Sequence, residues 1–155
     1  MYSAESVANA FLDLAKREGK SLTNMQLQKL VYLAHGYCLA QLNKPLFHNN
    51  IHAFQWGPVI PPLYKQIRHY GADPITGYIP TDEAPISPES EEMEIIREVW
   101  QYYGGFSGLE LSDLTHRKGS PWSETWKNNP FGVISDDLIA KHYRKHMHER
   151  FVNQP

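Results

Sequence analysis

The sequence predicts a mainly α-helical protein, folded as a single compact domain of six or seven helices with at most a small β-hairpin around residues 46–59. Three observations support this fold class. Apolar residues recur every three or four positions along most of the chain, which is the spacing of a helix face. Serine or threonine precedes several of these segments, as expected of helix N-caps. The length of 155 residues suits one domain with its own core.

Two helices are predicted in the first quarter of the chain. Apolar positions from Ala4 to Ala15 fall on one face, with Ser3 as the N-cap. Thr23 and Gln26 have the spacing of a capping box, in which each side chain satisfies a free backbone donor of the other. The apolar stripe behind them is wide, so we expect this second helix to be central and buried on much of its circumference.

The next segment changes pattern, because apolar and polar residues alternate loosely over residues 46–59 and permit a short hairpin. Residues 53–61 carry no charge and include Trp56 and Gly57. Since the residue before a proline avoids the helical region, we expect Gly57 to be extended or at positive φ, where a side chain would not fit. Trp56 belongs either to a tight internal corner or to a recognition surface, and the sequence leaves both interpretations open.

Five further helices are predicted in the rest of the chain. Their expected starts are Pro61, Ser87, Ser107, Ser120 and Ser135. Residues 72–88, which contain four prolines, are expected to form a flexible internal loop. Residues 129–155 are assigned to a C-terminal helix and tail.

The composition restricts the class of function. The formal net charge of −2 lacks the strongly basic balance of most nucleic-acid modules, so a nucleic-acid partner is disfavoured. Cys38 is the one cysteine in the sequence, which excludes a disulfide within the chain and favours a reducing compartment. We find no membrane-length apolar run and no signal-peptide pattern. We therefore expect a cytoplasmic protein with no membrane partner.

The histidines offer two candidate sites. His142 and His146 lie one helical turn apart, with His148 nearby, a spacing that suits a metal. Neighbouring lysines and arginines favour an ordinary basic helix end instead. His116 is a candidate general base, because Ser120 and Ser123 lie near it in sequence. However, no nucleophile-elbow pattern surrounds either serine. We expect His116 to bond to backbone, and we assign no catalytic residue, metal or cofactor.

Three sequence blocks, in a fixed order, add a resemblance. They are LTNMQLQKLVYLAH at 22–35, FQWGPV at 54–59 followed by Leu63-Tyr64, and LSDLTH at 111–116 followed by SPW at 120–122. The chain resembles the SocA-like, or Panacea-domain, family of phage-associated proteins over about residues 5–127. The resemblance implies a mostly helical fold and assigns residues 1–155 to one Panacea-like domain.

The function that the resemblance implies is that of an antitoxin in a bacterial or prophage toxin–antitoxin system. Such a protein neutralises a cognate protein toxin by direct contact, and one member delivers its toxin to the ClpXP protease. We expect the partner surface to include Gln55, Trp56, Gly57, Pro58, Tyr64, His116 and Trp122. The loop at 72–88 and the tail after Asn128 fall outside the matching blocks, so they are candidates for partner specificity.

Two alternative functions stay open at this stage. One is a histidine-dependent metal hydrolase built on His116, His142 and His146. The other is a DNA-binding autorepressor, which the mild acidity of the chain disfavours.

Overall fold

The computed structural model describes the backbone of residues 1–152 and the side chains of residues 1–146. Within that range the chain forms seven α-helices and one two-stranded hairpin, which confirms the predicted fold class. The elements are α1 (Ala4–Arg17), α2 (Asn24–Leu42), β1 (His52–Phe54), β2 (Gly57–Val59), α3 (Pro61–Ile67), a 3₁₀ turn (Arg68–Tyr70), α4 (Glu91–Tyr103), α5 (Gly108–His116), α6 (Pro121–Asn128) and α7 (Asp136–Val152). No helix of the described residues combines the length and apolar character needed to cross a membrane.

Helix α2 is the centre of the fold, as predicted. Every residue from Leu27 to Leu39 is buried, and α2 packs against α1, α3, α4, α5, α7 and strand β2. Helix α7 packs tightly on α2 at Gly36, where a Cβ would lie 2.6 Å from the Tyr143 ring. The absence of a side chain at Gly36 therefore lets these two helices meet. One continuous cluster of buried apolar side chains surrounds α2.

Local capping chemistry fixes most helix starts where the sequence predicts them. The Thr23–Gln26 and Ser107–Glu110 capping boxes are both formed. The predicted start of α4 at Ser87 is wrong by three residues. Ser90 is the N-cap, and its own N–H and hydroxyl both bond to Ser87 O in a preceding turn.

The hairpin is short and tightly closed. Phe54 pairs with Gly57, so Gln55 and Trp56 form a two-residue turn at its tip. The free edge of β1 is covered by the connection between α6 and α7, because Ala53 exchanges backbone hydrogen bonds with residues 131–132. The predicted hairpin therefore exists within 46–59 but occupies only its second half.

Residues 72–88 contain no regular helix or strand, as predicted. Three isoleucines of this segment, Ile75, Ile79 and Ile86, are nevertheless buried. The Asn9 side chain of α1 bonds to both the N–H and the carbonyl of Ile79. The loop is thus attached to α1 at several points, and its flexibility stays a prediction.

Candidate functional site: the hairpin tip and its groove

The hairpin is held by side chains from helices that are distant in sequence. Four of its backbone carbonyls accept side-chain hydrogen bonds from α2, α5 and α6. These bonds run from Trp122 Nε1 to Phe54 O (2.6 Å), His116 Nε2 to Gln55 O (3.3 Å), Ser112 Oγ to Trp56 O (3.1 Å) and Lys29 Nζ to Pro58 O (3.3 Å). The three sequence blocks of the family resemblance therefore converge on this one hairpin.

Gly57 is required by this arrangement. Its φ of +117° lies in a region that side chains rarely adopt. A Cβ at this position would also lie 2.8 Å from Lys29 Cε and 3.0 Å from Thr115 Oγ1. Of the two conformations expected for Gly57, extended or at positive φ, the structure has the positive φ, and the expected lack of room for a side chain is confirmed.

His116 bonds to the backbone through both ring nitrogens. Nδ1 lies 2.6 Å from Ser112 O, and Nε2 faces Gln55 O. Because a carbonyl oxygen can only accept, each contact is a hydrogen bond when the ring nitrogen that faces the carbonyl carries the proton. The ring also packs on Trp122, with centroids 3.9 Å apart. The expectation that His116 bonds to backbone is confirmed. Ser112 is the one serine that a ring nitrogen of His116 contacts among the described residues.

The serines proposed beside His116 have structural roles instead. Ser120 Oγ donates to Thr115 O and accepts from the Ser123 N–H as the N-cap of α6. Neither Ser120 nor Ser123 hydrogen-bonds to His116. The geometry thus provides no support for a general base that activates either hydroxyl.

The other histidine site is also incomplete. The rings of His142 and His146 stack with centroids 5.6 Å apart. Among the described side chains, no group of three or more His, Cys, Asp or Glu residues is placed to hold a metal ion. His148 belongs to α7, but its side chain lies outside the described ones.

The seven residues expected at the partner surface lie around the hairpin, but at different depths. Gln55, Trp56 and Tyr64 are exposed, whereas His116 is half-buried; the buried residues are Gly57, Pro58 and Trp122. Trp56 is 64% exposed, so it does not occupy an internal corner. The structure therefore places the first three at the surface and the others beneath them as supports.

A groove of about 530 Å³ runs beside the hairpin tip. Its walls come from the first turns of α2 and α5, from Phe54, Trp56 and Val59 of the hairpin, and from Tyr64 of α3. Leu109 of α5 also lines the groove and is 72% exposed. No aspartate or glutamate is among the described residues that line it.

Two residues of this site were missed by sequence reasoning, although both lie in a quoted block. Gln28 and Lys29 are each only 2% exposed. Burial lowers the pKa of Lys29 to about 8, and Lys29 takes part in none of the ion pairs found among the described residues. Gln28 Oε1 accepts from the Ile60 N–H, while its Nε2 has no partner. The sequence does contain a clue to both residues, because they are polar positions within a helix that is apolar on nearly every side.

Fold and site together define a mainly helical protein with a rigidly held hairpin, an exposed tryptophan at its tip and an apolar groove beside it. The chain belongs to the family described as antitoxin SocA-like, Panacea domain, whose model matches residues 27–123. Antitoxin SocA of Caulobacter vibrioides (strain NA1000 / CB15N) is 32% identical to it over 155 residues, covering 91% of this chain and 82% of that protein. No solved structure matches significantly. The matched range includes the whole hairpin and the four residues, Lys29, Ser112, His116 and Trp122, whose side chains bond to it.

Proposed function

We propose that this protein is the antitoxin of a bacterial or prophage toxin–antitoxin pair and neutralises its cognate toxin by direct protein–protein binding. Membership of a SocA-like antitoxin family supports an antitoxin role. The proposal assigns no chemical step to the chain and places it in the cytoplasm, where the buried Cys38 stays a free thiol.

The observation that carries the proposed binding surface is the exposed Trp56 on an immobilised hairpin. Tryptophan and tyrosine are enriched among residues that dominate interface energies, and Trp56 and Tyr64 lie on the same groove. Four side-chain hydrogen bonds already fix the turn, so little conformational freedom is lost when a partner binds.

The same binding step is compatible with two modes of neutralisation. The antitoxin either blocks the toxin or delivers it to a ClpXP-type protease. The half-life of the toxin, measured in cells with and without that protease, distinguishes them. A half-life that lengthens when the protease is removed indicates delivery, and an unchanged one indicates blocking.

Co-expression tests the proposal directly. We expect the gene adjacent to this one to arrest growth when expressed alone, and growth to recover when this chain is co-expressed. The two proteins should also co-purify. A neighbouring product that is harmless alone, or one that stays toxic and does not bind this chain, would contradict the proposal.

A further inference from the structure

Two side chains that line the groove each have one buried polar atom without a hydrogen-bond partner. Asn24 Oδ1 is an acceptor and Gln28 Nε2 is a donor. Buried groups of this kind are almost always hydrogen-bonded in native proteins. Both belong to α2 and lie one turn apart, so they share a face of the helix. An unfilled donor and an unfilled acceptor therefore belong to neighbouring side chains of the groove lining.

An extended peptide supplies the matching groups. Along one edge of an extended chain, main-chain N–H and C=O groups alternate, so a short segment offers both a donor and an acceptor on the same side. A main-chain carbonyl at Gln28 Nε2 and a main-chain N–H at Asn24 Oδ1 would complete both groups, as in strand-like peptide recognition.

The charge of the groove specifies one side chain of that peptide. Lys29 lines the groove, and its ammonium has three donors but one observed acceptor, Pro58 O. No carboxylate of the described residues pairs with it. An anion beside a buried cation offsets part of the cost of burying it, so an acidic side chain is the complement of this wall.

The rim specifies a second side chain. Eight large apolar side chains are exposed in the described part of the chain, and Trp56, Tyr64 and Leu109 among them border this groove. Their exposed fractions are 64%, 37% and 72%. A cluster of this kind at the mouth of a groove is typical of a site for an apolar anchor.

We infer that the groove binds an extended segment of the partner toxin that carries an acidic side chain next to a large apolar one. The carboxylate pairs with Lys29, and the apolar side chain packs between Trp56 and Leu109. The main chain of the segment bonds to Gln28 and Asn24. The inference rests on the proposed function and specifies the part of the toxin that is recognised.

A displayed library of short random peptides, selected on the full-length protein, tests the preference. We expect enrichment of peptides with Asp or Glu beside an aromatic or large aliphatic residue. Selection on Lys29→Gln, which keeps a donor for Pro58 O without the charge, should lose the acidic preference and retain the apolar one. Selection on Trp56→Ala should lose the apolar preference. Tyr78→Ala removes an exposed aromatic that does not line this groove and should change nothing.

A double-mutant cycle separates charge pairing from a structural role of Lys29. We expect replacement of the acidic peptide residue by its amide to weaken binding to the wild-type protein by at least about tenfold. The same replacement should have little effect on Lys29→Gln, because the interaction is already absent. Circular dichroism confirms that each variant is folded, and Lys29→Met serves as the second variant if Lys29→Gln is not.

Three outcomes would overturn the inference. In the first, the selection enriches no peptides. In the second, the enriched peptides lack acidic residues. In the third, replacing the acidic peptide residue by its amide weakens binding to wild type and to Lys29→Gln equally. A free protein that dimerises through the groove, becoming monomeric in Trp56→Ala, would also overturn it, because a second copy would then be the occupant. If the toxin binds wild type and Lys29→Gln equally well, only this inference fails; if it binds neither, the proposed function fails.

Discussion

Replacement of Lys29 by methionine should make the protein more stable at neutral pH. Lys29 is 2% exposed, and burial lowers the pKa of its ammonium from 10.5 to about 8. Such a fall corresponds to roughly 3 kcal/mol of destabilisation of the charged form in the folded state. Methionine fills a similar volume without a charge. It also removes the hydrogen bond to Pro58 O, which costs about 1 kcal/mol. We therefore expect a net gain of about 2 kcal/mol at pH 7.

The pH dependence has a defined sign. Between the folded pKa of about 8 and the unfolded value of 10.5, the unfolded chain binds more protons at Lys29 than the folded protein does. The contribution of Lys29 to the stability of the wild type should therefore rise with pH through this window, because the buried ammonium of the folded protein loses its proton. Below pH 8 the destabilisation is fully present, and the advantage of Lys29→Met should be constant there.

Urea denaturation of wild type and Lys29→Met, followed by circular dichroism in a series of buffers from pH 7 to 10, measures this effect. Burial raises the pKa of Tyr32 and Tyr143, but those phenols are present in both proteins, so their contribution cancels in the difference. The gap between the two free energies of unfolding should shrink as pH rises above 8. A variant that is less stable than wild type at pH 7, or a gap that does not change with pH, would refute the reasoning.

Three further predictions concern the hairpin and the loop. Gly57→Ala should lower the free energy of unfolding by at least about 2 kcal/mol, because the new side chain would be both strained and overlapping. Gly19 is also at positive φ but in open space, so Gly19→Ala should lower it by only about 1 kcal/mol. Urea denaturation measures both changes. Trp56→Ala should change the free energy of unfolding by less than about 1 kcal/mol, since the side chain is exposed, while the buried Trp122→Ala should lose about 3–5 kcal/mol. Backbone amides of residues 72–88 should exchange with deuterium faster than those of the helices, except the N–H groups of Ile75 and Ile79, which bond to Leu22 O and to Asn9 Oδ1.

Each of these predictions has a clear contrary result. Equal losses for the two glycine variants would show that the space beside Gly57 is not restrictive. A large loss of stability in Trp56→Ala would show that the Trp56 side chain is part of the core. Uniformly slow exchange across residues 72–88 would contradict the expected flexibility of the loop.

The elements of the fold that the sequence predicts correctly depend on local chemistry. Both capping boxes join residues three positions apart, so they can be identified without knowledge of the fold. The start of α4 was misplaced because Ser87 and Ser90 are both acceptable N-caps, and the turn between them decides which one is used.

The site could be predicted only in part, because its contacts are long-range. Trp56 and Gly57 are recognisable from their unusual uncharged segment. That Lys29 reaches Pro58 and Ser112 reaches Trp56 depends on how three helices pack around the hairpin. Spacing along the chain contains no information on such pairs. The order of the family blocks indicated which segments matter, but not that they meet.

The affinity of the purified cognate toxin for wild type and for Trp56→Ala, measured by titration calorimetry, tests the central claim most directly. Tyr78→Ala provides the matched control, because it removes an exposed aromatic outside the groove. We expect Trp56→Ala to keep its melting temperature while its Kd for the toxin rises by about thirtyfold or more, which corresponds to about 2 kcal/mol. A folded Trp56→Ala that binds the toxin as tightly as wild type does would contradict the assignment of the hairpin tip as the toxin-binding surface.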